Sequence, residues 1–288
     1  MPQTIYASAQ EDLQALFDGA PENATIVLPE AVYRQKVVIR TAGLTIVGAG
    51  AGKTKIVFDD YARKLDESGK EYITFRSYTL AVCADRVTMK DLTVANDAGR
   101  PEILGQQVAL SVVADNFLME NCTLSSTQDT LFTGPLPQDL IERYEGFLAD
   151  ELRRGGELKH RFVNCLIEGT VDFIFGCGNS IFEDCELRSL PDARNNGYVA
   201  APSHRLYQKE GYLFRRCRIT HAEGVMPGSI YLARPWRDHG LCVFEDCICG
   251  DHIAPEGFDG WGNSGRSRTA RFRETPEVPG RAEWVNRR

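Results

Sequence analysis

The sequence has little that would suit a nucleic-acid or membrane partner. Its 33 Lys and Arg residues are outnumbered by 40 Asp and Glu residues, which leaves a formal net charge of −7. Proteins that bind nucleic acids usually carry clustered cations that displace the counterions of the phosphates. No apolar run approaches the roughly 18 residues of a transmembrane span. We therefore expect no nucleic-acid partner and no membrane partner.

The start of the sequence lacks the basic stretch and the apolar run of an export signal. The nine cysteines form no CxxC pair, and most of them lie inside apolar runs. This usage favours reduced thiols. We therefore expect a cytoplasmic protein, whereas a protein whose leader had been removed would be secreted or periplasmic.

Three common site motifs are also missing. Val47 stands where a phosphate loop needs its first glycine before Gly52 and Lys53, so the segment around them is better explained as a glycine-rich turn. No Gly-x-Ser-x-Gly elbow of a serine hydrolase is present. The five histidines lack the spacing of a zinc site, and we expect most of them at the surface or in loops. The sequence therefore predicts no metal and no cofactor.

Most of the chain consists of short strand-like segments, and several of them share one pattern. Each pattern begins with an aromatic or large apolar residue. Two residues and then a cysteine follow it, and another apolar residue lies two positions after the cysteine. The cysteine place recurs at intervals of 30, 43, 20, 32 and 30 residues, and it is filled by Leu92, Cys122, Cys165, Cys185, Cys217 and Cys247. A repeat with insertions predicts a solenoid, here an all-β parallel β-helix in which these cysteines stack as an internal ladder.

The other elements fit this architecture. Ser8 and Glu11 form a capping-box pattern before an apolar stripe, which predicts a short N-terminal capping helix. The predicted strands lie at 24–29, 36–40, 44–49, 86–96, 107–114, 116–126, 160–169, 180–189, 212–220 and 241–250. Segment 134–160 is too long and too charged for a coil turn, so we expect an excursion there with a short helix around 140–152. It could wall one side of a cleft. Without a linker-like stretch, residues 1–288 are expected to form a single domain.

Three charged residues stand among apolar neighbours. Asp129 lies in TQDTLF (127–132), Asp172 in GTVDFIFG (169–176) and Arg234 in YLARPW (231–236). An unpaired carboxylate in such surroundings would be costly to bury. The residues alone leave two interpretations, which are a catalytic site and a buried Asp–Arg salt bridge that joins coils.

These segments carry a resemblance to a known family. QDTLF, GTVDFIFG and YLARPW resemble the signatures of the pectin methylesterases, and GQQVAL (105–110) resembles the upstream glutamine motif of that family. AVYRQKV (31–37), VGAGAGKTKI (47–56) and IAPEGF (253–258) also fit in order, so the resemblance extends from the N-terminal helix to about residue 274. It implies a right-handed parallel β-helix that removes methyl esters from galacturonate, releases methanol and uses no cofactor.

The resemblance also implies a role for each site residue. Asp172 would be the nucleophile, and Asp129 the general acid that later activates water. Gln106 and Gln128 would donate hydrogen bonds to the oxyanion, while Arg234 would keep Asp172 ionised. On this basis the pKa of Asp172 should stay low, and Asp129 should hold a proton near the working pH.

The same resemblance implies that Trp236, Phe173 and Phe132 line the sugar subsites. The expected partner is pectin or a methylated oligogalacturonide, bound by a monomer. Two alternatives are an inactive carbohydrate-binding β-helix and a polyuronate lyase. A lyase would need a cluster of calcium-binding carboxylates with a basic residue as proton abstractor, and the sequence shows only the isolated pair Asp59-Asp60.

The chain departs from the family pattern at four places. An amide, Gln35, replaces a carboxylate, and we expect this change to affect the first coils more than the chemistry. Gln107 replaces an alanine and creates two adjacent glutamines, of which alternation along a strand would turn only Gln106 towards the site. Phe132 for Tyr and Ala233 for Gly are mild changes.

Overall fold

A computed structural model describes residues 3–286 and shows a stack of short parallel coils. The strands in these residues are β1 (Thr4–Tyr6), β2 (Thr25–Val27), β3 (Ala31–Arg34), β4 (Val37–Ile39), β5 (Thr45–Val47), β6 (Thr54–Phe58), β7 (Leu80–Val82), β8 (Thr88–Lys90), β9 (Thr93–Asn96), β10 (Leu110–Val112), β11 (Phe117–Glu120), β12 (Thr123–Ser125), β13 (Leu131–Thr133), β14 (Lys159–Val163), β15 (Leu166–Gly169), β16 (Ile174–Gly176), β17 (Asn179–Glu183), β18 (Glu186–Ser189), β19 (Gly197–Pro202), β20 (Tyr212–Arg215), β21 (Arg218–His221), β22 (Ile230–Ala233), β23 (Leu241–Glu245), β24 (Ile248–Cys249) and β25 (Arg271–Thr275). The helices are α1 (Leu13–Gly19), α2 (Pro101–Leu104) and α3 (Gln138–Arg143), with 3-10 turns at Thr74–Arg76, Asp150–Arg153, Gly262–Ser264 and Arg266–Arg268. Within residues 3–286, none of the helices has the length and apolarity to cross a lipid bilayer.

Three parallel sheets run along the stack, because successive coils add strands to the same sheets. The first sheet has the order β1-β2-β5-β8-β11-β14-β17-β20-β23-β25, the second β24-β21-β18-β15-β12-β9-β6-β3, and the third β22-β19-β16-β13-β10-β7-β4. This arrangement confirms the predicted right-handed parallel β-helix.

Six of the predicted strands are each two strands separated by a corner. A residue with φ between 51° and 55° joins a strand of the first sheet to one of the second, at Asp91, Asn121, Asn164, Asp184, Arg216 and Asp246. Asp and Asn tolerate this left-handed conformation better than most residues. The residue after each corner is the repeated cysteine or leucine, so the repeat marks the bend between two sheets and not the middle of one strand.

The repeated positions stack inside the coils, as the interval pattern predicted. Cys122, Cys165, Cys185 and Cys217 are buried, and each thiol donates a weak hydrogen bond to a carbonyl of the preceding coil, such as that from Cys217 to Phe182 O at 3.4 Å. A second ladder lies three residues earlier. Its rings at Phe162, Phe182, Phe214 and Phe244 are stacked 4.6–4.8 Å apart. Burial of these rings and thiols supplies much of the core energy.

The first coil is closed by α1, although this helix starts later than the sequence pattern predicted. The backbone N–H and the hydroxyl of Ser8 do donate to Glu11 Oε2, at 2.9 and 3.0 Å. The residue that caps the helix is nevertheless Asp12, whose carboxylate accepts from the N–H of Ala15. Gln35 contacts the same turn, since its amide accepts from Leu13 N at 2.8 Å and donates to Glu11 O at 2.7 Å. A carboxylate at position 35 has no N–H and could not donate to Glu11 O. The replacement of the family's carboxylate by Gln35 therefore adds a hydrogen bond to the turn before α1.

Segment 134–160 leaves the stack after β13 and folds over the outer face of the third sheet. It contains two short helical pieces, α3 and the 3-10 turn at Asp150–Arg153, where one helix was predicted. Apolar side chains of this excursion form a second buried cluster with outward-facing residues of the third sheet and with Phe75 and Tyr78. The excursion residues in that cluster are Leu136, Leu140, Leu148, Leu152 and Leu158. The excursion is therefore packed against the stack.

Candidate active site

Asp129 and Asp172 occupy the same place on two neighbouring coils. Each of them lies two residues before a strand of the third sheet, and these strands pair with Leu131 opposite Ile174. The backbone N–H of Asp129 donates to Val171 O at 3.0 Å, which extends the pairing to the aspartates themselves. Since paired strands lie about 4.8 Å apart, the register brings the two carboxylates together from sequence positions 43 residues apart.

Both aspartates have a left-handed backbone, with φ of 67° at Asp129 and 51° at Asp172. This conformation turns the chain at the entrance to the third sheet. It suits Asp and Asn, whereas a β-branched or bulky residue would be strained there. The local fold therefore favours an Asp or Asn at each position, independently of any catalytic use.

Arg234 is brought to Asp172 from a later coil. It follows β22, and its guanidinium donates to both carboxylate oxygens of Asp172, with Nε to Oδ1 at 2.8 Å and Nη2 to Oδ2 at 2.7 Å. The same guanidinium lies between two aromatic rings, 3.8 Å from the centroid of Tyr198 and 4.1 Å from that of Trp261. A bidentate bond and two ring faces hold the arginine, and through it the carboxylate, in one orientation.

The two carboxyl groups differ in their charge environment. Burial raises the pKa of Asp129 well above its ordinary value, and the nearby charge of Asp172 raises it further. Burial also raises the pKa of Asp172, against the expectation that it would stay low, but the bond to Arg234 opposes this effect. Within residues 3–286, no cation forms a salt bridge with Asp129. Asp129 is therefore the group that keeps a proton, and Asp172 the group that ionises first.

The two glutamines implicated by the sequence motifs lie in the same cleft as the aspartates. Gln106 and Gln128 both line it, beside Asp129, Asp172 and Arg234. The amide oxygen of Gln128 accepts from Arg194 at 3.3 and 3.4 Å, and the side chain of Gln128 also forms a hydrogen bond with Asp129.

Gln107 has a different function from its neighbour. It is fully buried, donates to the carbonyls of Gly99 and Gly105, and accepts from the hydroxyl of Thr127. Alternation along the chain thus turns the side chain of Gln106 into the cleft and that of Gln107 into the protein interior, as expected.

The cleft has a volume of about 460 Å³ and is walled partly by the excursion, which contributes Leu140, Arg143 and Tyr144. A larger hollow of about 760 Å³ lies against the first sheet, but it contains a single carboxylate, Glu210, among several cations. The smaller cleft is the candidate site, because it alone of these two combines paired carboxylates with amide donors. Segment 134–160 therefore forms part of one wall of the cleft, which the sequence left open.

The aromatic subsite residues are only partly where they were predicted. Trp236 lines the cleft, but Phe173 points into the coil and is fully buried in the main core. Phe132 is also buried, 5.2 Å from the ring of Phe75 and covered by the excursion. Phe173 and Phe132 therefore cannot contact a sugar in this structure. The phenylalanines that line the cleft are Phe75 and Phe175, and Phe175 lies one coil on from Phe132.

Three functional side chains were missed from the sequence. Tyr198 and Trp261 hold the guanidinium of Arg234, and Arg194 holds Gln128. Tyr198 could have been found from the coil register, because it lies opposite Tyr231 of the YLARPW motif. Trp261 and Arg194 lie in loops between strands, where no repeat position identifies them.

The stack of coils and the cleft together define a parallel β-helix protein with a site built on two buried aspartates. The sequence matches the family named Pectinesterase over residues 3–138 and 157–287. The chain therefore belongs to the pectinesterase family. The unmatched residues between the two ranges fall within the excursion.

Curated relatives and solved structures agree with this membership. The chain is 29% identical over 286 residues to Pectinesterase QRT1 of Arabidopsis thaliana, covering 93% of this chain and 66% of that protein. It is also 29% identical to Pectinesterase 31 of the same plant, covering 93% and 78%. Pectin methylesterase from carrot has the same fold, with a TM-score of 0.81 at 24% identity over 99% of this chain and 88% of that one. The chain spans about two thirds of the length of the first relative and 42% of Pectinesterase/pectinesterase inhibitor 3.

Proposed function

We propose that this protein is a pectin methylesterase that hydrolyses the C6 methyl ester of galacturonate units and releases methanol. One observation carries the proposal. Asp172 is fixed by a bidentate bond to Arg234, while its neighbour Asp129 has no such partner and keeps a proton. Esterase chemistry through a carboxylate needs this pair, namely one ionised nucleophile and one acid beside it.

In the first half of the reaction, a carboxylate oxygen of Asp172 attacks the ester carbonyl at C6. The carbonyl oxygen becomes an oxyanion, which accepts hydrogen bonds from the amide NH2 groups of Gln106 and Gln128. Asp129 gives its proton to the methoxy oxygen as the C–O bond breaks. Methanol leaves, and the C6 acyl group remains bound to Asp172 as an anhydride.

In the second half, Asp129 is a carboxylate and accepts a proton from a water molecule. The hydroxide attacks C6 of the anhydride, and the bond from C6 to the Asp172 oxygen breaks. The product carries a C6 carboxyl group, and both aspartates return to their starting states. Neutral amide donors suit this cycle, because a cation in their place would also hold the product carboxylate.

The proposed substrate class is an esterified polyuronate or a methylated oligogalacturonide. Two structural neighbours, each 24% identical, are pectin methylesterases in complex with a hexasaccharide. The cleft of this chain offers Trp236 as a flat apolar surface for sugar rings. It has Arg143, Arg194 and Arg237 as nearby cations, of which Arg194 is paired with Asp192 and Arg237 with Asp139. These cations would pair with free carboxylates on units next to the ester. They would offset the overall negative charge of the protein at this place.

The decisive test compares two matched variants. Asp172→Asn removes the nucleophile, and Asp184→Asn makes the same change in an exposed aspartate that also has a left-handed backbone and a bidentate arginine, Arg216. Methanol released from methylated pectin and from methylated oligogalacturonides is measured for both variants and the parent. We expect release from the parent and from Asp184→Asn, and none above background from Asp172→Asn. Equal release from all three proteins would refute the mechanism.

The same assay separates the alternatives. A lyase would form unsaturated products that absorb in the ultraviolet and depend on added calcium. An inactive carbohydrate-binding protein would bind a methylated oligogalacturonide without releasing methanol. Either result would overturn the proposed function.

A further inference from the structure

The coil register brings together three residues that are scattered in the sequence. His221 ends β21, and Asp251 and His252 follow β24, which pairs with β21 through Ile219 and Cys249. The nitrogen and oxygen atoms that these three residues could offer to a metal all lie within 4.8 Å of one another. None of the three residues lines the carboxylate cleft. They form a separate cluster beyond the second sheet, here called the His-Asp-His cluster.

The distance between the ligand atoms of His221 and Asp251 fits a small transition-metal ion. Zinc binds imidazole nitrogen and carboxylate oxygen at about 2.0–2.2 Å in tetrahedral geometry, which places two ligand atoms roughly 3.3–3.5 Å apart. His221 Nε2 and Asp251 Oδ1 are 3.3 Å apart. The rings of His221 and His252 are near each other, with centroids 4.7 Å apart.

His252 is the unusual member, because it is fully buried and neither of its ring nitrogens has a hydrogen-bond partner in the described part of the chain. The other two buried histidines use both nitrogens. His160 contacts Ser180 Oγ and Ala114 O, and His204 contacts Gly178 O and Leu241 N. The expectation that most histidines lie at the surface or in loops is confirmed, since only His160 is both buried and within a strand, although two of the loop histidines, His204 and His252, are buried as well. An orphaned imidazole in the interior is costly unless something binds it.

The tautomer of His221 supports the same conclusion. Its Nδ1 lies 3.0 Å from the carbonyl oxygen of Ala222, so Nδ1 carries the proton and donates it there. In the neutral ring, Nε2 then presents a lone pair to the carboxylate of Asp251, and two acceptors face each other. A metal cation between them removes the conflict, as a second proton on the ring also would. A backbone carbonyl on the other nitrogen is also the usual support of a metal-bound histidine.

We propose that His221, Asp251 and His252 bind one Zn²⁺ ion, with water completing the coordination on the exposed side. His221 and Asp251 are open to solvent, which gives the ion an entry path. The ion would join two successive coils near the C-terminal end of the stack. It would also lie beside β22, because His252 O accepts from the N–H of Ile230. Its role is structural, since the cluster shares no residue with the cleft.

The test uses the full chain without an affinity tag, treated with a chelator and then titrated with ZnCl2 in a calorimeter at pH 7.5. Co²⁺ serves as a spectroscopic probe of tetrahedral coordination. The variants are His221→Ala and Asp251→Asn, both at exposed positions, and the control is His239→Ala, which removes a histidine outside the cluster. We expect one Zn²⁺ per chain in the parent and the control, an affinity at least about tenfold weaker in each cluster variant, and a zinc-dependent rise in Tm only where binding is retained.

Failure of the proposal would be clear. No binding by the parent, or equal binding by the parent and His221→Ala, would overturn it. Tight binding that is lost in the His239→Ala control would place the ion elsewhere and would overturn it too. These outcomes do not depend on methanol release, so they are independent of the proposed esterase activity.

Discussion

Replacing Arg234 by lysine tests whether the geometry of the guanidinium, and not only its charge, prepares Asp172. Lysine keeps the positive charge but cannot form two parallel bonds to the carboxylate. It also lacks the planar group that lies between Tyr198 and Trp261. The substitution therefore leaves the net charge unchanged while removing the orientation.

The magnitude follows from the contacts that are lost. One of two charge-assisted hydrogen bonds contributes about 1.5–3 kcal/mol, and the stacking of the cation on two rings adds about 0.5–1 kcal/mol. Solvent screens these contacts little, because the side chains of Arg234 and Asp172 are only 20% and 11% exposed. The sum of about 2–4 kcal/mol corresponds to a fall in kcat of roughly 30- to 900-fold.

A pH profile adds a second readout. With weaker support from the arginine, burial raises the pKa of Asp172 further, and the nucleophile must be ionised to react. The acidic limb of the kcat/KM profile should therefore move to higher pH in Arg234→Lys. Arg216→Lys is the matched control, because Arg216 forms a bidentate bond to Asp184 on the exposed face, and its activity should equal that of the parent. A fall below about threefold, or an acidic limb that moves to lower pH, would refute this reasoning.

Three further predictions concern the cleft and the core. Gln106→Ala should lower kcat for methanol release by about 100- to 1,000-fold with an unchanged Tm, whereas Gln107→Ala should mainly lower the free energy of unfolding, by about 1–3 kcal/mol; the opposite pattern would exchange their roles. Asp129→Asn should abolish methanol release and stabilise the protein at neutral pH. The raised pKa of Asp129 means that the parent loses stability as pH rises from about 4 through the folded-state pKa, by up to about 1.4 kcal/mol per pH unit, and the variant does not. Urea unfolding of both proteins across this pH range would show the difference, and parallel curves would contradict it. Phe182→Ala removes the centre of a stacked ladder and should cost about 3–5 kcal/mol in urea unfolding; a cost below 1 kcal/mol would show that the ladder relaxes.

Much of the fold could be predicted because one coil repeats. The repeated cysteine marks the bend between the first two sheets on successive coils. This repeat alone predicted a β-helix, without the help of the site motifs. The third sheet was largely missed, since strands such as Leu131–Thr133 and Ile174–Gly176 have three residues and show no period. The two-strand nature of each repeat was missed as well, although two outward residues, such as Val163 and Asn164, separate the inward phenylalanine from the inward cysteine at each corner.

The site was predicted to the extent that its residues belong to motifs. Asp129, Asp172, Gln106, Gln128 and Arg234 meet in one cleft, as the resemblance implied. The sugar-contact roles of Phe132 and Phe173 were wrong for a physical reason: packing by the excursion and the inward turn after Asp172 bury them. Both causes depend on tertiary packing, which cannot be predicted from the residues next to Phe132 and Phe173 in the sequence.

The distance between the two aspartates is set by the backbone ladder and not by the chain that joins them. Leu131 lies opposite Ile174 whatever leaves the stack in between, so the intervening segment can be lengthened, shortened or exchanged while the reacting groups keep their spacing. The stretch between the two family-matched ranges falls within this segment. For the proposed esterase, such a scaffold separates chemistry from recognition: descendants can acquire a new wall for a differently decorated polymer without rebuilding the pair of aspartates. The same property makes residues 139–156 the place at which to graft altered specificity.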